Sequence, residues 1–242
     1  VRGKRFRVFL CLEAQRKGMV IKMKKTLIFD LDGTLLDTLA DLHNGVNHAL
    51  KKYGYIENSL EKTRKSIGNG LKMLIKRSLP DDTSEEAVDS VLQEMKQYYA
   101  LHSHEKTKPY DGILELIAKL KQDGYQLAVV SNKADYILRD LVPYYFGEQI
   151  PVIIGESPEL KRKPAPDMVF EALRRLDSAP EDAIYIGDSE VDLKTAKNAG
   201  LPCLSVCWGF RSKELLMEHG AQVLCSNCDQ LYSVLSDWKL PE

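Results

Sequence analysis

The sequence predicts a doubly wound, Rossmann-like parallel α/β sheet interrupted by an all-helical insertion, and three observations carry that prediction. Five short, continuous apolar runs read as strands buried on both faces. Helical periodicity separates most of them, and strands that alternate with helices build a parallel sheet. Between residues 38 and 108 the alternation stops, and only helical patterns are found.

The first strand is "TLIFDL" (26–31), directly before the insertion. The clearest insertion helices are "LADLHNGVNHALKKYGY" and "SEEAVDSVLQEMKQYYALHSH", the second capped by Ser84 with acids in its first turn. Pro109 marks the return to the core. "ILELIAKLKQDG" stops at Gly124, because glycine readily takes the left-handed conformation that ends a helix. "YQLAVVS" (125–131) and "IPVIIG" (150–155) are the next strands. "PDMVFEALRRL" carries Pro166 in its first turn, where the missing N–H costs nothing. "AIYIGD" (183–188) is the fourth strand and "LPCLSV" (201–206) the fifth. Between them "SEVDLKTAKNAG" runs from a capping Ser189 to Gly200. The expected division is a core domain of 23–37 and 109–242, a helical domain of 38–108 and a leading segment of 1–22.

With 34 basic and 35 acidic residues the formal net charge is −1, so nothing global draws the chain to nucleic acid or an anionic membrane. No apolar run approaches the ~20 residues of a membrane helix. Up to Lys25 there are nine Lys or Arg and one acid, Glu13. The apolar "VFLCL" in that stretch is too short for a signal peptide. The expectation is a start at Met23, preceded by an extension without function; a basic nucleic-acid-binding tail is the alternative. The missing export signal and free thiols point to the cytoplasm. Cys203, Cys207, Cys225 and Cys228 loosely match zinc-ribbon spacing. A buried strand is the better reading for the first pair, which lies in a strand-like run without a knuckle turn.

In open α/β sheets ligands bind beyond the carboxyl ends of the strands. "IFDLDGTLLDT" puts Asp30 and Asp32 there, one residue apart, where their like charges resist joint ionisation unless something compensates. The second strand ends in Ser131 and Asn132, "KRKPAPD" supplies Lys163, and "GDSEVD" supplies Asp188, Ser189, Glu190 and Asp192. Asp30, Asp32 and Asp188 make a hard oxygen cage suited to Mg²⁺. Lys163 and the Ser131 hydroxyl suit a phosphate dianion, and Gly33 lets backbone approach it. Asp30 can then attack phosphorus, while Asp32 protonates the departing oxygen and later activates water. A calcium loop starting at Asp30 is disfavoured, because Leu35 stands where it needs glycine. Lys133 and Lys161 are expected to face solvent, as are the tyrosines, His43, His48, His102 and His104.

Across roughly 25–238 the sequence resembles the haloacid dehalogenase superfamily of phosphohydrolases. "DLDGTLLDT", "VVSNK", "KRKPAPD" and "IGDSEVD" match its four motifs in order. The resemblance implies Asp30 as nucleophile, Asp32 as general acid and base, Ser131 and Lys163 as phosphate binders, and Asp188 as a Mg²⁺ ligand. It also implies that Asp30 and the Asp32 backbone carbonyl complete the metal sphere, with Asp192 in an outer position. The 38–108 helices are similar to the family's small cap. Within them "TRKSIGNGLKMLIKRSL" looks like a segment of phosphoglycolate phosphatases. That likeness implies a Gly68–Asn69–Gly70 turn reaching the substrate beyond its phosphate, with Arg64 and Lys72 as candidate carboxylate readers. The expected partner is a small phosphorylated metabolite, most simply phosphoglycolate, acted on by a monomer or homodimer. Another phosphatase of the family, an inorganic pyrophosphatase, a β-phosphoglucomutase-like phosphotransferase and a non-catalytic binding protein are the alternatives.

Overall fold

Burial on both faces decides where the first strand lies. In the computed structural model, which describes residues 26–238, Thr26–Phe29 (β1) is wholly buried. The segment expected as an extension, 1–22, lies outside the described residues. A two-residue strand, Leu36–Asp37 (β2), follows, and then four helices: Leu39–Lys52 (α1), Leu60–Ser66 (α2), Gly70–Ser78 (α3) and Glu85–His102 (α4). Lys108–Pro109 (β3) returns antiparallel to β2, so one small ribbon carries both crossings between sheet and helices.

The remaining chain alternates: Ile113–Gln122 (α5), Gln126–Ala134 (β4), Asp135–Phe146 (α6), Val152–Glu156 (β5), Asp167–Arg175 (α7), Ala183–Gly187 (β6), Glu190–Ala199 (α8), Cys203–Val206 (β7), Lys213–Glu218 (α9), Val223–Cys225 (β8) and Cys228–Asp237 (α10). The sheet order is β5-β4-β1-β6-β7-β8, every neighbouring pair parallel. Alternate residues of β1 serve opposite faces. Leu27 and Phe29 join a core continuous with the helical block, while Ile28 packs with Val130, Met168 and Tyr185. Each face of the sheet is covered, as a parallel sheet requires. No helix among the described residues is long and apolar enough to cross a membrane.

The expected fold is present, with informative differences in detail. β4 runs on to Ala134, three residues beyond the expected strand end, with an irregular register after Val130. Pro166 sits at the N-cap of α7, just before its first turn. Ser84 and Ser189 cap their helices as expected, accepting from the amides of Ala87 and Asp192. β8 and α10 were not expected, since β8 is a three-residue, half-buried edge strand without an apolar run. The four described cysteines are free thiols, and burial pushes those of Cys225 and Cys228 up to about 11. Among the described residues no cysteine belongs to a group placed to hold a metal ion. His48 and His104 are exposed, but half-buried His43 meets Thr63 Oγ1 at 3.0 Å through Nδ1 and joins α1 to α2. Tyr99 is also no surface residue: it is wholly buried in α4.

Asp41, at the start of α1, secures the return from the helical block. Its buried carboxylate accepts from the backbone amides of Lys106 and Thr107 and from the Thr107 hydroxyl. Removing one partner of a buried bond leaves the other unsatisfied, at about 1–3 kcal/mol for each group. Asp41→Ala is therefore expected to lower unfolding stability by about 3 kcal/mol, measured by urea denaturation. A loss below about 1 kcal/mol would show that this anchor is dispensable.

Candidate active site

The two loops that leave β1 and β6 meet because these strands are hydrogen-bonded neighbours and end at the same edge of the sheet. A cavity of about 50 Å³ opens there. It is lined by Asp30, Asp32, Ser131, Asn132, Lys163 and Asp188 from the core, and by Gly68 and Gly70 from the turn before α3. One water needs about 10–15 Å³ of such space, so the enclosed volume suits only a small group. Asn69, Gly33 and Asp192 are not part of the lining. Asn69 is the N-cap residue of α3, Gly33 lies against Asp188, and Asp192 lies behind Lys163.

Lys163 is 3% exposed, and its ammonium is held from three sides. Nζ lies 2.9 Å from Asp30 Oδ1, 2.8 Å from Asp192 Oδ1 and 3.1 Å from the Tyr185 hydroxyl. Burial works against its charge, but Asp192 and Asp30 outweigh it and hold the lysine well above its usual range. Asn132 fixes the backbone at this point, accepting from the Lys163 amide at 2.8 Å and donating to its carbonyl at 3.0 Å. Asp192 is also the third residue of a capping box. Its Oδ2 accepts from the amide and hydroxyl of Ser189 at 3.1 and 2.6 Å. One carboxylate thus starts α8 and orients the lysine.

Asp188 is 2% exposed; it accepts from the Phe210 amide at 2.7 Å, and the Thr34 hydroxyl stands 3.4 Å away. Gly33, at φ +87°, and Gly209 press against it so closely that a Cβ on either would collide with its carboxylate. Burial, then the charges of Asp192 and Asp30, push the Asp188 carboxyl well above the carboxylate range. Burial likewise pushes Asp30 up to about 7 against the pull of Lys163, with Asp192 adding to the rise. Ligand oxygens of Asp30, Asp188 and Asp192 lie within 4.8 Å of one another. This crowded, electron-rich oxygen set fits a hard divalent cation, which would offset the repulsion. Asp192 has least to offer such an ion, since Lys163, Tyr185 and Ser189 already occupy its acceptor positions.

Asp32 turns away from the other acids. Its Oδ1 lies 2.8 Å from the ammonium of Lys133, which is buried and not at the surface as expected. The irregular end of β4 turns that side chain inward. Lys161 is exposed, as expected. Lys72 is not at the cavity: it lies on the outside of the helical block, paired with Asp89 and Glu85. Arg64 lines a neighbouring groove that Arg211 also lines, and its carbonyl stands 3.4 Å from Arg211. Arg211, 9% exposed, lines the cavity as well, along with Lys133 and Lys163. It donates to Glu190 at 2.9 Å and to the Ile67 carbonyl at 2.6 Å, joining the β7–α9 loop to the helical block. Nothing in "GFRSKE" signals this role, because both partners are distant in sequence.

Fold and site together define a class of α/β enzyme in which acids and a lysine from separate strand ends meet over a parallel sheet. Within that class the chain belongs to the haloacid dehalogenase-like hydrolases, whose family profile matches residues 27–206. Phosphoglycolate phosphatase 1 of Pseudomonas aeruginosa is 30% identical over 226 residues, covering 91% of this chain and 83% of that protein. Phosphoglycolate phosphatase of Aquifex aeolicus is 31% identical over 187 residues, 77% of this chain and 86% of its own. A crystal structure from Lactobacillus delbrueckii subsp. bulgaricus, provisionally assigned as a phosphoglycolate phosphatase, is similar with a TM-score of 0.84 at 35% identity. That match covers 88% of this chain and 98% of the other.

Gly209→Ala tests the close packing around Asp188. Overpacking costs about 1–3 kcal/mol, and the displaced carboxylate should hold a cation less well. A ligand at 100 times its dissociation constant adds about 2.7 kcal/mol of stability. Saturating Mg²⁺ is expected to raise the melting temperature of the unsubstituted protein, and to raise that of Gly209→Ala by less than half as much.

Proposed function

We propose that the chain is a Mg²⁺-dependent phosphatase that hydrolyses a small phosphomonoester through an aspartyl-phosphate, with phosphoglycolate as its substrate and the cytoplasm as its place of action. The observation that carries this reading is the convergence of Asp30, Lys163 and Asp188 on one small cavity. The names of the relatives support the substrate.

Asp30 is the nucleophile. Its Oδ1 is engaged by Lys163 and by the Leu31 amide at 2.7 Å, and Oδ2 has no hydrogen-bond partner among the described residues. A carboxylate oxygen of Asp30 attacks phosphorus, and the bond to the substrate oxygen breaks. That oxygen takes the proton of the Asp32 carboxyl and leaves as an alcohol. Water then attacks the aspartyl-phosphate, its proton returns to Asp32, and the bond to Asp30 breaks to release phosphate. Lys163 and the Ser131 hydroxyl bind the phosphoryl oxygens. Asp30, Asp188 and the Asp32 carbonyl would hold Mg²⁺, which would supply positive charge to offset the carboxylates and polarise a phosphoryl oxygen. The block of residues 38–108 serves as a lid that excludes water. Arg211, in place of Arg64 and Lys72, reads the substrate carboxylate.

Phosphate release is expected from phosphoglycolate in preference to other small phosphomonoesters, with Mg²⁺ required and EDTA abolishing it. Equal rates across unrelated phosphates would defeat the substrate assignment. Asp30→Asn is expected to abolish turnover while leaving the fold nearly intact; persistent activity would refute the covalent mechanism. A hydrogen bond to a charged group is worth about 1.5–3 kcal/mol, so Arg211→Ala should raise KM for phosphoglycolate about tenfold to hundredfold. KM for ethyl phosphate, which lacks the carboxylate, should change less than about threefold.

A further inference from the structure

Two lysines divide the two aspartates of "DLDGT" between them. Lys163 serves Asp30, and Lys133 serves Asp32. The Lys133 side chain is 1% exposed, and its Nζ lies 2.8 Å from Asp32 Oδ1 and 2.8 Å from the Tyr99 hydroxyl. The ammonium also lies 4.7 Å from the Tyr99 ring centroid. Tyr99 belongs to α4 and is wholly buried, so the link runs from the helical block through the sheet to the acid. A buried ammonium is costly unless its donors are met, so these two acceptors fix where the lysine sits. Burial opposes its charge, but Asp32 and Tyr99 keep it above the usual lysine range. Held between these two acceptors, it serves as a fixed hydrogen-bond donor. Asp32 has Oδ1 engaged in this way, while Oδ2 has no hydrogen-bond partner among the described residues.

We propose that Lys133 and Tyr99 are positioning residues for Asp32: Lys133 holds one carboxyl oxygen so that the other meets the departing oxygen, and Tyr99 holds Lys133 there when the helical block is docked. The proposal rests on the reading of Asp32 as the proton donor to the leaving group. It has a chemical signature that a general loss of structure does not share. An alkyl oxygen needs a proton to depart, whereas p-nitrophenol departs readily as its anion. The ratio kcat/KM covers events through the first phosphoryl transfer, so later hydrolysis of the aspartyl-phosphate does not obscure it.

General acid–base catalysis contributes about 10²–10⁴-fold. Lys133→Met is expected to lower kcat/KM for phosphoglycolate by about 100-fold and Tyr99→Phe by about tenfold. Neither should lower kcat/KM for p-nitrophenyl phosphate more than about threefold. Adding Tyr99→Phe to Lys133→Met should cost little more, because the two act in series. Tyr99→Phe removes only a hydroxyl, and so carries the test if Lys133→Met fails to fold. Equal losses on both substrates, or unchanged kcat/KM for phosphoglycolate in Tyr99→Phe, would overturn the proposal. Asp32→Asn separates the underlying reading: it should show the same selectivity more strongly. If it does and the other variants do not, only the positioning role fails. If Asp32→Asn loses both substrates alike, or the unsubstituted protein releases no phosphate, the reading of Asp32 falls and the proposal with it.

Discussion

A single buried ammonium, Lys163 shared between Asp30 and Asp192, is the constraint around which the site is built. Removing one member of such a group leaves an uncompensated buried charge at about 3–5 kcal/mol, so the fold must deliver all three together. It does so through elements far apart in sequence. Asp30 leaves β1, Asp192 stands in the first turn of α8, and Lys163 comes from the loop after β5. Asn132 at the end of β4 clamps the lysine backbone, and Tyr185 of β6 meets its ammonium from below the cavity. A one-residue slip in either ladder would turn alternate side chains to the wrong face. The pairing of Ile28 with both Ala128 and Tyr185 is thus as much part of the site as the acids are.

The helical block touches this arrangement through polar contacts as well as apolar ones. Arg211 reaches out from the core to the carbonyl of Ile67, while Tyr99 reaches in from α4 to Lys133. Such contacts fix direction more than they add stability. Each has a charged donor and is exchanged for water if the block moves away, so the net cost of separation is about 1.5–3 kcal/mol per bond. Were the block to serve as the proposed lid, such contacts would make its closed position specific and still let it open within the microsecond-to-millisecond range of such motions. The antiparallel β2–β3 ribbon concentrates that freedom in one short segment, and Asp41 secures its return side.

Much of this was legible in the sequence because strand ends are local signals. Asp30, Asp188 and Lys163 each follow an apolar run or precede a proline, and their meeting at one cavity needs only the rule that ligands gather at the carboxyl edge. Lys133 was misread for a physical reason. It lies beyond the recognisable apolar run, where β4 continues with irregular register, and its partners are 101 and 34 residues away. No periodicity reports a contact of that kind. Tyr99 is indistinguishable from its half-buried neighbour Tyr98 until the packing of α4 is known. Arg211 follows Phe210 in a loop with no pattern at all. β8 was missed because a half-buried edge strand of three residues carries too little apolar character to stand out.

The two lysines also explain why the acids remain under electrostatic tension. Counted formally, Asp30, Asp32, Asp188 and Asp192 contribute four negative charges, and Lys133 and Lys163 contribute two positive ones, which leaves two negative charges in a buried space. Lys133 is committed to Asp32 and cannot relieve the others. Lys163 is shared by Asp30 and Asp192, so Asp188 receives no ammonium, only the Phe210 amide and the Thr34 hydroxyl. Burial first, and then the charges of the neighbouring acids, push the carboxyls of Asp188 and Asp30 upward. Two further lysines would supply the missing charge but would also fill the cavity and neutralise Asp30 permanently. A divalent cation supplies the same two charges from a small volume, so the shortfall is of the size that one such ion can meet.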